Sequence, residues 1–113
     1  MQLTKSEMVA MLHEAFPNGA VKEGVNPSYN QNVVPRAIYW EYVWEDVSAS
    51  GDDYSDLNTY QVSIFHTKPP RENTALLNFR QLLRQHHVHP QIFHEYNSQD
   101  GLWHSYMSLQ VTE

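Results

Sequence analysis

The segment from Val33 to His66 constrains this chain more than any other part of it. It reads as two aromatic, β-branched runs around an acidic stretch, Ser48-Ala-Ser-Gly-Asp-Asp-Tyr-Ser-Asp56, and holds Trp40 and Trp44, two of the three tryptophans. From Arg36 to Val47 the residues alternate. Ile38, Trp40, Tyr42 and Trp44 share one face, and Ala37, Tyr39, Glu41, Val43 and Glu45 share the other. Such alternation predicts a strand in a sheet with one packed and one wetter face, and the two glutamates place the wetter face on the second set. Thr59 to Thr67 predicts the antiparallel return strand, with Tyr60, Val62, Ile64 and His66 on one side. Ser48 to Asn58 is too long for a tight turn and too polar to pack, which predicts a projecting loop.

The flanking sequence supplies the rest of the fold. Thr4 and Glu7 have capping-box spacing, and Met8, Leu12 and Ala15 follow at helical intervals, so a helix is expected over Lys5–Ala15. Ala20 to Val25 suits a short strand, and Gly24 to Asn32 reads as loop. Asn73 is a plausible N-cap for a second helix ending at Gln85, with Leu76, Phe79 and Leu83 in line. Ile92–Tyr96 and Leu102–Val111 complete the pattern as strands joined by a turn, with Gly101 at the position of positive φ. The expected fold is α+β: a four- to five-stranded antiparallel sheet in the order α-β-β-β-α-β-β, one domain, with both helices on one face. The other face would then be an association surface.

Composition narrows the function. Thirteen acids against seven bases give a net charge of −6. Those bases, Lys5, Lys22, Arg36, Lys68, Arg71, Arg80 and Arg84, are scattered, which argues against a phosphate grip on nucleic acid. The absence of cysteine excludes disulfides and thiolate catalysis. No apolar run approaches the ~20 residues of a membrane span, and the N-terminus lacks the apolar core of a secretory signal. A soluble chain made inside the cell is expected.

Four groups of residues could carry chemistry. His86, His87 and His89, with His94 and His66, invite a metal. Adjacent histidines diverge on a helix, however, and imidazolium suits a helix C-terminus. Asp46, Asp52, Asp53 and Asp56 lack EF-hand spacing. Glu41 and Glu45 are better explained as a wet strand face than as an acid/base pair. The Trp40, Tyr42, Trp44 stripe fits a core or interface better than a stacking platform. There is no nucleophile elbow, phosphate loop or dinucleotide fingerprint. No metal, cofactor or enzymatic activity is expected. The six acids between Glu41 and Asp56, with no base among them, form a patch able to steer a basic partner.

The order of these segments, with Arg36-Ala-Ile-Tyr-Trp-Glu-Tyr42, the acidic Ser/Gly/Asp stretch, Tyr60-Gln-Val-Ser-Ile-Phe-His-Thr-Lys68 and the closing Met107-Ser-Leu-Gln-Val111, resembles small tail-component proteins of siphophages and prophages of Gram-positive bacteria. It is similar over nearly the whole chain, and its element order also resembles that of tail-terminator and head–tail joining proteins. The match is one of pattern, because these families have no diagnostic motif. The resemblance implies a hexameric ring at the head-proximal end of the tail, in contact with tail-tube and neck proteins. DNA would pass through without specific binding. The place of action would be the host cytoplasm during assembly and then the virion. Tyr39, Glu41 and Phe65, with Asp52, Asp53, Tyr54 and Asp56, are the residues assigned to subunit or partner contacts. The alternative is a small ligand- or protein-binding domain using the Trp/Tyr sheet face. The closing strands carry more histidine and aromatic residues than the resemblance leads one to expect.

Overall fold

A computed structural model describes residues 3–17, 20–25, 34–48 and 54–112, with 44–48 and 54–57 described as backbone. The elements run α1 (Lys5–Ala15), β1 (Val21–Glu23), β2 (Arg36–Ser48), β3 (Tyr54–His66), a short 3-10 turn (Pro70–Glu72), α2 (Thr74–Gln85), β4 (Phe93–Asn97) and β5 (Leu102–Thr112). The strands form one sheet in the order β1-β2-β3-β5-β4. All neighbours are antiparallel except β1 and β2, which pair in parallel over Val21–Glu23 and Ala37–Tyr39. This is the expected α+β fold, and the parallel edge is the departure from a purely antiparallel sheet.

Local chemistry sets the helix ends. The Glu7 amide donates to Thr4 Oγ1 at 3.1 Å and the Thr4 amide donates to Glu7 Oε1 at 2.9 Å, which satisfies two amides that α1 itself cannot. Asn73 Oδ1 accepts from the Leu76 amide at 3.0 Å and starts α2. At the other end of α2, the His87 amide donates to the Arg84 carbonyl and the Val88 amide to the Leu83 carbonyl. These two bonds form a Schellman cap, with His87 in the left-handed region at φ 60°. The β4–β5 turn closes with Gly101 at φ 70°, and the Gly101 amide donates to the Asn97 carbonyl.

Both helices lie on the same sheet face. Met8, Met11, Leu12 and Ala15 of α1, and Leu76, Phe79 and Leu83 of α2, pack with Tyr60, Val62 and Ile64 of β3 and Met107, Leu109 and Val111 of β5. From β2 this core takes Ala37 and Tyr39. The wetter-face assignment of Ala37 and Tyr39 is therefore corrected, since they are 0% and 7% exposed. Register is the cause. Tyr39 lies opposite Val62, and a pleated pair shares a face, so the face β3 buries is the face β2 must bury. Glu41 sits at the margin of that face, where the Tyr60 hydroxyl donates to its Oε1 at 3.0 Å.

Two further corrections concern the arm formed by β2 and β3. The ladder continues through Glu45↔Leu57, Asp46↔Asp56 and Val47↔Ser55 to Ser48↔Tyr54, so the supposed loop over Ser48–Asn58 is strand at both ends. Strand pairing here runs through Glu, Asp and Ser, because strand preference depends on context more than on intrinsic propensity. A bulge between Glu41 and Val43 also shifts the register, after which Val43 lies opposite Thr59 and Trp44 opposite Asn58. The extra residue, Tyr42, is 64% exposed. The bulge ends the single face assigned to Ile38, Trp40, Tyr42 and Trp44, as a one-residue slip reverses the alternation.

Substitutions read in urea denaturation test this assignment. Tyr39→Ala should cost about 3 kcal/mol or more, Asn73→Ala about 1 kcal/mol through its lost cap, and Tyr42→Ala no more than about 0.5 kcal/mol. A costly Tyr42→Ala beside a neutral Tyr39→Ala would mean the opposite face is inside.

Candidate functional site

Where β3, β5 and β4 run side by side, the helix-covered face turns polar. Ile64 lies opposite Ser105 and Ser105 opposite His94, while His66 at the end of β3 lies opposite Trp103. His66 Nε2 and His94 Nδ1 each lie 2.7 Å from Ser105 Oγ, and His66 Nδ1 lies 2.8 Å from the Lys68 carbonyl oxygen. A carbonyl can only accept, so the Lys68 contact places a proton on His66 Nδ1. Neutral His66 then accepts at Nε2 from the Ser105 hydroxyl, and His94 Nδ1–H donates to the same oxygen. The result is a relay running His94, Ser105, His66, Lys68 carbonyl.

A serine hydroxyl donating to a histidine that is oriented by a further acceptor has the connectivity of an activated nucleophile. Here the hydroxyl is sealed. His66 and Ser105 are both 0% exposed, and the second imidazole occupies the remaining approach to Oγ. The relay satisfies polar groups at a buried position, where an unpaired hydroxyl or imidazole would be costly. Burial lowers the pKa of both histidines. For His66 the Lys68 carbonyl bond partly opposes the shift, while for His94 the Arg71 guanidinium adds to it.

His94 also lines a groove of about 450 Å³ between α2 and the β4–β5 edge, together with Arg71, Arg80, Leu77, Ile92 and Trp103. Among the described residues neither Arg71 nor Arg80 has a carboxylate partner. The groove thus joins an apolar floor to two guanidinium groups.

The opposite sheet face carries a row of rings. The Arg36 guanidinium lies 4.9 Å from the Phe65 centroid. Phe65 stacks on His104 at 4.7 Å, His104 meets Tyr106 at 4.9 Å, and Tyr106 stacks on Phe93 at 5.4 Å. Ser63 Oγ lies 2.9 Å from His104 Nε2.

The anticipated contact residues divide among these places. Tyr39 and Glu41 gather around Tyr60 on the helix-covered face, where Tyr39 is taken up by the core. Phe65 joins the ring row on the other face. Tyr54 and Asp56 belong to β3, while Asp52 and Asp53 lie outside the described residues. The histidines after α2 behave as a helix terminus. His86 caps it, with its Nδ1 3.7 Å from Glu7 Oε2, and no three His, Asp or Glu side chains among the described residues form a metal-ligand group. The relay itself escaped sequence reading, because Ser105 lies 39 residues from His66 and 11 from His94. No protein-family model matches the chain, and no curated protein matches it.

The relay makes stability depend on pH. Unfolded His66 and His94 take up protons near the usual imidazole value of 6.5, and the folded residues do so only at lower pH. Unfolding therefore consumes protons between those values, and stability declines as pH falls below about 6.5. Urea midpoints between pH 7.5 and 4.5 should show that decline, and His66→Gln should reduce its slope. An unchanged slope in the variant would remove the relay as its source.

Proposed function

We propose that this protein is a structural component of a long-tailed phage or prophage: a tail-completion subunit that forms a ring at the head-proximal end of the tail and joins it to the neck. The observation that carries this reading is the β2–β3 arm. Among the described strands, β2 is paired on its outer edge only at Ala37–Tyr39, although it continues to Ser48. The rest of that edge offers backbone donors and acceptors to another chain, the mode by which sheets join between subunits. The arm is also acidic, and acids facing a lumen would repel passing DNA. Glu41, Asp52, Asp53, Tyr54 and Asp56 are the residues we assign to contacts with neighbouring subunits or with tail and neck proteins. The row from Phe65 to Phe93 favours a second reading, a binding domain that uses the ring-bearing face. Its rings are largely engaged with one another, which leaves less surface for a ligand.

Light scattering and native mass spectrometry of the purified protein, alone and mixed with tail-tube protein, test the proposal. We expect a closed oligomer, in isolation or on mixing. Replacing 46–56 by Asn-Gly, which suits a two-residue turn between the paired Glu45 and Leu57, should abolish assembly. β5 contacts β3 only from Leu57 onward, so Tm should change by no more than about 4 °C. A monomer under every condition would contradict the proposal, as would normal assembly of the shortened arm.

A further inference from the structure

The acidic arm and the cationic groove stand at opposite ends of β3. The ladder places Tyr54 opposite Ser48 at one end and His66 opposite Trp103, a groove residue, at the other. The twelve intervening steps span ~40 Å of a molecule whose longest extent is 52 Å. An arm cannot reach the groove of its own chain across that length of strand, but it can reach the groove of a neighbour.

The two ends are complementary in charge and in polarity. The groove presents Arg71 and Arg80, without carboxylate partners among the described residues, above an apolar floor of Leu77, Ile92 and Trp103. His94, held below its usual pKa by burial and by Arg71, is neutral at pH 7, so the guanidinium groups set the sign. The arm carries Glu45, Asp46 and Asp56 interleaved with Trp44, Val47 and Leu57. Its ladder places Asp46 directly opposite Asp56, a pairing of like charges that disfavours the strand pair by itself. A cation supplied from outside relieves that repulsion.

We infer that the groove is the docking site for the β2–β3 arm of a second copy of this chain, with Arg71 and Arg80 meeting the Asp46–Asp56 pair. The contact is heterologous, since the arm of one subunit enters the groove of the next while its own groove receives a third. Contacts of this kind close into rings when the rotation between subunits permits. The inference rests on the ring reading above and names the surface that builds the ring. Being a contact between charges, it weakens with salt.

Charge reversal in full-length protein provides the test. One variant reverses the groove (Arg71→Glu with Arg80→Glu) and a second reverses the arm (Asp46→Lys with Asp56→Lys). Each alone sets like against like and should lose assembly in native mass spectrometry under the conditions where the wild type assembles. Mixed in equal amounts, every arm finds an opposite groove, and oligomers alternating the two variants should return. That recovery also shows both variants to be folded. Assembly of either variant alone at the wild-type level would overturn the contact and leave the ring reading standing. So would failure of the mixture to recover while both variants keep the wild-type circular dichroism spectrum. A wild type that never assembles would overturn both.

Discussion

The burial of β3 against two helices is the constraint on which the rest of the structure depends. Tyr60, Val62, Ile64 and His66 are all 0% exposed, and the strand is paired on both edges. Its register then assigns faces to its neighbours. Tyr39 falls opposite Val62, and so does Met107 from the other side, which commits Ala37 and Tyr39 of β2 and the Met107, Leu109, Val111 series of β5 to the core. Both helices cover that face, where their apolar stripes meet it.

Tyr60 and His66 are among the polar side chains that β3 buries, and their needs shape the surroundings. Burial pushes the Tyr60 hydroxyl up to about 12, so it remains a donor and takes Glu41 as its acceptor. His66 is satisfied by Ser105 and the Lys68 carbonyl, and Ser105 in turn holds His94 at the groove. The relay thus links the core to the surface on which subunit contact is proposed. Burial and the neighbouring Arg71 guanidinium hold His94 below its usual pKa, so the groove's charge comes from Arg71 and Arg80.

Much of this was legible in the sequence. The capping box and the i, i+3, i+7 lines gave both helices nearly to the residue, and Gly101 marked the closing turn. The faces of β2 were not legible, because aromatic residues alternate with aromatics and acids there, and either set could be taken as the inner one. Pairing with β3 decides it. The bulge at Tyr42 leaves no mark in an alternating pattern. The ladder from Glu45 to Ser48 was hidden because acids and serine interrupt the apolar alternation by which a strand is recognised, while the backbone pairing continues through them. Of the anticipated contact residues, Phe65 lies on the ring-bearing face and Tyr39 belongs to the core. The His66–Ser105–His94 relay joins the β4–β5 hairpin to β3, with Ser105 39 residues from His66, so no local spacing could announce it.

Amide hydrogen exchange along β2 and β3 tests most directly whether the β2–β3 arm is, as proposed, the element through which this chain assembles. In the free protein the amides of 43–48 and 54–57, at the end of a ladder that β5 leaves at Leu57, should exchange much faster than those of Tyr60–Ile64 in the core. In the assembled oligomer the arm amides should become protected while the core amides stay as they were. Arm amides that exchange at the same rate in the free and assembled states would contradict the account.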